Sequence, residues 1–302
     1  MTGVVILQSG NATARLLPTS GGRISALQLQ AADSDKAIDV LHPYPEDLLF
    51  DPLRWGKGGI YPLMPYSNRI AQARVRVADT DVALAPHPDA LPHTLHGNAH
   101  ALPWQLQSQG ADRAVMVLDA ASSPAWPWHY TARIELQLSP SALSATISIV
   151  NADTRLMPAG LGLHPYFRHR SDAAVGYRPG AIWPPTPEFI AVSSRAPEPE
   201  EVHMPARALR AGGLTDYIGG WDGKASLELP EGEVLDIDAD PVFSHLVVHR
   251  PDALTYLCLE PVSHVADGFN LAARGVFNTG TRWLAPRESL TGTMRFSLRK
   301  AA

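Results

Sequence analysis

The chain has 302 residues, 45% of them apolar and 18% charged, a composition that supports a substantial buried core and excludes large-scale disorder. The formal net charge of -5 is spread without long like-charge runs, so neither nucleic acid nor an anionic membrane is expected as partner and a small neutral ligand fits better. Cys258 is the only cysteine, which is read as excluding both an intramolecular disulfide and a cysteine-based metal site and suits a reducing compartment.

In chain order, Met1 to Gln8 has neither a basic start nor an apolar segment of export length, and nowhere do roughly 18 apolar residues run together. A cytoplasmic protein is expected. Gly56-Lys57-Gly58-Gly59 resembles a phosphate loop only superficially, because no Ser or Thr follows the lysine and no helical pattern begins there. The proline-braced segment Gly58 to Ile70 ends on Asn68 and Arg69, an amide and a guanidinium suited to binding hydroxyl groups. A loop arginine paired with a surface carboxylate would read the same way. His93, His96 and His100 have a spacing that could bind a metal on a helix, but Pro92, Gly97 and Pro103 indicate a loop and no acidic ligands accompany them. A single His96 donating to a ligand, or bonded to backbone, is the better reading.

The dominant period further on is two. Ala132, Ile134, Leu136 and Leu138 alternate with Arg133, Glu135 and Gln137, and after Ser139-Pro140-Ser141 the residues Ala145, Ile147 and Ile149 alternate with Thr146 and Ser148, which predicts an antiparallel hairpin. Shorter strand signals lie at Val115 to Leu118, Leu227 to Leu229, Leu246 to Val248 and Leu254 to Glu260, and Met294, Phe296 and Leu298 form a last alternation. No sustained amphipathic helix is found. The proline-dense stretches 179–187 and 197–205 have Trp183 within the first and Phe189 between them, which suits an ordered loop better than a tether. Leu214 to Gly223 sets Asp216 and Asp222 around Trp221, either a sugar-stacking aromatic with hydroxyl acceptors or an ordinary turn. The sum is an all-β, mostly antiparallel fold, read as one domain over 1–302.

Two apolar runs stop on ionisable groups that are each followed by proline: Leu163-His164-Pro165 and Leu259-Glu260-Pro261. Proline disfavours helical backbone at the residue before it, so both groups are expected to be held extended at strand ends. With ordinary pKa values of about 4.3 and 6.5, Glu260 would be ionised and His164 easily protonated, suiting them as base and acid. They would look similar as a buried, satisfied polar pair. No nucleophile elbow, zinc-protease motif, Walker sequence or dinucleotide fingerprint is present.

Taken in order, Asn68-Arg69-Ile70, Leu95-His96-Gly97, His164-Pro165-Tyr166-Phe167, Leu214-Thr215-Asp216 through Trp221-Asp222-Gly223, and Glu260-Pro261 with Asn270 resemble the aldose 1-epimerase (galactose mutarotase) family. The resemblance spans about residues 58 to 270 and implies a galactose mutarotase-like β-supersandwich that interconverts the anomers of a free sugar without cofactor or metal. It implies Glu260 as general base, His164 as the acid on the ring oxygen, His96 assisting nearby, and Arg69, Asn68 and Asp216 holding the remaining hydroxyls. The chain is expected to act on a small sugar as a monomer or weak homodimer. Asn98 and Ala99 follow Gly97 where many relatives have a second glycine, and the binding glutamine of many relatives has no assignable counterpart.

Overall fold

Ala132, Ile134, Leu136 and Leu138 are all buried along the strand Tyr130–Ser139, with the polar residues between them turned toward solvent. In the computed structural model, which describes residues 3–301 except Asp33, Leu48, Trp55 and Leu254, this strand turns at Pro140 and Ser141 into Ala142–Asn151, with Ile134 opposite Ile147. Met294, Phe296 and Leu298 are buried in Ser289–Arg299, which pairs with Ala142–Asn151 on one side and Val234–Ala239 on the other. The last strand of the chain is therefore central to a nine-stranded antiparallel sheet.

A second sheet runs Val5–Ser9, Ala12–Leu17, Arg23–Gln30, Ile60–Pro62 and Leu163–Pro165, with Ala37–Asp39 branching from Arg23–Gln30. A third runs Ala181–Trp183, Leu214–Gly219, His245–Arg250 and Cys258–Val262. These two sheets meet along residues 161–167: Leu163–Pro165 pairs with Ile60–Pro62, while Gly162 bridges Val262 and Phe167 bridges Leu257. That seam brings position 164 beside position 260. Apolar residues from Leu7 to Leu298 form the main core, and a second cluster that includes Tyr61, Tyr166, Tyr217 and Cys258 lies under the seam.

Among the described residues the α-helix is the six-residue Gly268–Ala273, accompanied by short 3-10 turns, and no helix is long and apolar enough to cross a membrane. The proline-dense stretches are ordered: Trp183 is buried in Ala181–Trp183, and His203–Ala208 forms an outer strand of the largest sheet. The strand predicted from Leu254 begins at Cys258, and Leu254 itself lies outside the described residues. Glu260 also sits in mid-strand, not at its end. Pro261 continues the pairing opposite Leu246 on the outermost strand of its sheet, where a missing N–H is tolerated.

Candidate active site

The seam between the second and third sheets closes a cavity of about 230 Å³ lined by Glu260, His164, His96, Asn68 and Arg69, together with Lys57, Tyr61, Thr215, Tyr217, Phe189 and His249 among others. It is smaller than the roughly 300–1,000 Å³ clefts that enclose drug-sized ligands, a scale suited to a single sugar ring. Strand pairing places His164 opposite Tyr61 and Glu260 opposite Val247. His164 Nε2 stands 3.4 Å from Glu260 Oε1, and both residues are buried. The imidazole packs on the rings of Tyr61 and Tyr166, each with its centroid 4.7 Å away, so its plane is set by aromatic contact on a rigid strand.

His96 and Asn68 hold one another. The His96 N–H donates to the Asn68 carbonyl at 2.8 Å, and the Asn68 N–H donates to His96 Nδ1 at 3.1 Å. Both residues adopt left-handed backbone, φ 63° and 57°, an unusual conformation that Asn and His tolerate better than most and that recurs at functional sites. Because Nδ1 accepts, a neutral His96 carries its proton on Nε2 and is a donor. Asn68 Oδ1 accepts from the Arg69 N–H at 2.9 Å and from the Tyr217 hydroxyl at 3.3 Å. The Arg69 guanidinium lies over the Phe189 ring, 4.7 Å from its centroid. Phe189, between the two proline-dense stretches, thus forms part of the cavity wall.

Burial acts against the protonation expected from ordinary pKa values. It pushes the Glu260 carboxyl well above its usual range and, with the cationic or imidazole neighbours His249, Lys57, Arg23 and His100, pushes His164 well below its own. Burial thus disfavours the charged form of both groups, the carboxylate of Glu260 and the imidazolium of His164. His96 is also driven well down, first by burial and then by the adjoining His164 and His100, which keeps it a neutral donor. Burial lowers Arg69 as well, and Tyr217 acts against this.

Five of the six predicted site residues therefore converge; Asp216 does not. On Leu214–Gly219, Thr215 and Tyr217 line the cavity, whereas Asp216 points to the opposite face and lines a separate surface cavity, paired with Arg210 through 2.6 and 2.8 Å hydrogen bonds. The alternation of strand side chains is the reason. Trp221 is buried in the core with Nε1 donating to the Lys224 carbonyl, so it is no sugar platform, and Asp222 accepts from the Lys224 N–H in a turn. Asn270 bonds the backbone at Arg74 and Arg76, tying the short helix to the neighbouring hairpin. The loop histidines separate: His93 Nδ1 accepts from Gln72, and His100 is buried outside the cavity lining. Asn98 Oδ1, two residues beyond His96, accepts from the buried Tyr130 hydroxyl at 2.7 Å.

Sequence reasoning passed over Lys57, Tyr61, Thr215, Tyr217, Phe189 and His249 as wall residues. The aromatic signal was present in Tyr61 and Phe189, and Lys57 lay inside a motif set aside for lacking a phosphate-loop pattern. Nothing local distinguishes Tyr217 or His249 from core residues of their strands.

A family model described as aldose 1-epimerase matches residues 4–176. The uncharacterized protein YphB of Escherichia coli K12 is 26% identical over 244 residues, 78% of this chain and 81% of its own. Among solved structures, a candidate aldose 1-epimerase of Escherichia coli K12 superposes with a TM-score of 0.85 at 23% identity over 99% of both chains. A galactose mutarotase-like protein of Clostridium acetobutylicum does so with a TM-score of 0.83 at 20% identity, over 99% of this chain and 95% of that one. The structural likenesses carry the fold; the family model covers more than half of the residues, and the chain belongs to the aldose 1-epimerase family.

Proposed function

We propose that the cavity interconverts the α and β anomers of a free aldose by acid/base opening and reclosure of the pyranose ring. The observation that carries this is the 3.4 Å approach of His164 Nε2 to Glu260 Oε1 inside a cavity of monosaccharide size. Transfer of the carboxyl proton to the imidazole turns the neutral pair into a carboxylate and an imidazolium, and sugar hydroxyls donating to the carboxylate favour that state. Glu260 then removes the proton from the anomeric hydroxyl while His164 protonates the ring oxygen. The C1–O5 bond breaks, the C1 carbonyl forms, and the pair returns to its neutral state. Rotation about C1–C2 followed by the reverse transfers closes the ring on the other face. His96 Nε2–H, Asn68 and Arg69 keep the rest of the sugar in place during that rotation. The wall residues are drawn from segments as far apart in the chain as Lys57 and Glu260, which supports residues 1–302 acting as one catalytic domain.

A glycosidase would need a second carboxylate across the bond. Asp216 and Asp222 face away, and Asp267 Oδ1 accepts the Ala71 N–H at 3.0 Å, so this class is disfavoured. A phosphorylated aldose is the second reading, because Lys57 and Arg69 both line the cavity; Arg74 is exposed and does not. The test is optical rotation of freshly dissolved α-glucose, α-galactose and their phosphates. Relaxation is expected to accelerate with the protein, and Glu260→Gln is expected to cost about 10²–10⁴-fold while sugar still binds. Full rate in the variant would remove Glu260 as base, and binding by both proteins without acceleration would leave a carbohydrate-binding protein.

A further inference from the structure

We propose that His164, Glu260 and Cys258 together bind a thiophilic divalent cation such as Zn²⁺, and that the bound ion inhibits by occupying the proton-transfer pair. This reverses the expectation from sequence, where a single cysteine excluded a cysteine-based metal site, because the fold supplies the missing ligands. One ligand atom from each of the three buried residues lies within 4.8 Å of the others. Tetrahedral zinc with nitrogen and oxygen at about 2.0–2.2 Å and sulfur at about 2.3 Å has ligand-to-ligand edges of roughly 3.3–3.7 Å. The His164–Glu260 separation of 3.4 Å already has that length. The thiol has to close by on the order of 1 Å to complete the set.

The ligands are also well supported. Cys258 and Glu260 are two apart on one strand and so share a face, pinned opposite His249 and Val247. His164 stands on the adjoining strand against Tyr61. A thiolate and a carboxylate neutralise the two positive charges, which a buried ion requires. Three protein ligands leave a fourth position open, and the cavity lies on that side because Glu260 and His164 line it. His164 Nδ1 is buried with no hydrogen-bond partner, so no outer hydrogen bond raises the basicity of the ligating nitrogen, and binding should be weaker than at a closed structural zinc site. The set of imidazole, thiolate and carboxylate suits zinc or cadmium and not magnesium or calcium.

Binding is tested with Zn²⁺ by calorimetry and with Cd²⁺ by the ultraviolet charge-transfer absorption of a cadmium thiolate, on the full chain. One ion per chain and the cadmium-thiolate band are expected, with the band lost in both Cys258→Ser and Cys258→Ala and zinc affinity at least tenfold weaker in these and in Glu260→Gln. Circular dichroism identifies any variant that fails to fold, and the remaining variants then carry the comparison. Equal zinc affinity in folded wild type and variants, or no thiolate band, overturns the site. The inhibitory half rests on the proposed function: zinc should suppress anomer interconversion, a chelator should restore it, and Cys258→Ser should keep the basal rate while resisting zinc, since Cys258 does not line the cavity. A protein that binds zinc through the three residues but shows no metal-free acceleration would sink the proposed function and leave the metal site standing.

Discussion

Glu260 carries the sharpest conflict between burial and charge. Its carboxyl is raised above the ordinary value of 4.5, so the native state retains a proton that the unfolded chain releases. Its contribution to stability is thus fully present below about pH 4.5 and is lost as pH rises toward the folded value. Glu260→Gln, a neutral shape mimic, is expected to melt higher than wild type at pH 8, by on the order of a few °C, with the difference shrinking toward pH 4.5. Thermal melts of both proteins at the two pH values check this. An unchanged difference would mean that the carboxyl is not held neutral. The same substitution that removes catalysis should stabilise the fold, the usual relation at a site built against its own stability.

At the scale of elements, strand parity decides which face of Leu214–Gly219 meets the sugar. Asp216→Asn removes only a half-exposed pair with Arg210, a loss of about 1 kcal/mol or less, and should leave kcat and KM unchanged. Tyr217→Phe removes a hydroxyl that donates to the Phe189 carbonyl at 2.9 Å and to Asn68 at 3.3 Å, so KM should rise. Steady-state kinetics of the two variants separate the faces; a larger effect from Asp216 would reverse the assignment. The turn after His96 makes a second case. Gly97 has φ +66°, and a Cβ there would stand 2.2 Å from the Met64 carbonyl oxygen. Gly97→Ala is expected to destabilise by about 1–3 kcal/mol and to displace His96, read by chemical denaturation together with loss of rate. The Leu95-His96-Gly97 motif was visible in the sequence. Its reason, a backbone approach between segments 64–68 and 96–97, was not.

Across the whole molecule, buried histidines set the response to acid. Burial holds His96 and His164 well below the ordinary 6.5, His100 at about 3, and His245 and His264 at about 4. Each takes up a proton on unfolding, so stability is present above about pH 6.5 and falls as pH drops toward these folded values. Glu260 and Asp267, both raised, act in the opposite direction but are outnumbered. The denaturation midpoint at pH 5 should therefore lie clearly below that at pH 7.5, and equal midpoints would refute the account.

The period-two alternation of Ala132 to Leu138 and Met294 to Leu298 was enough to read an antiparallel β fold, because side chains of one strand sort by face without reference to any partner. The ordered motifs from Asn68 to Glu260 likewise identified the family and five of the cavity residues. Only the tertiary structure decided that Thr215 and Tyr217, not Asp216, face the cavity, since alternation tells which residues share a face but not what that face meets. The same holds for protonation and for the nearness of Cys258 to His164. Both depend on neighbours about a hundred positions away, brought together by the seam at residues 161–167, and on the desolvation that this seam imposes.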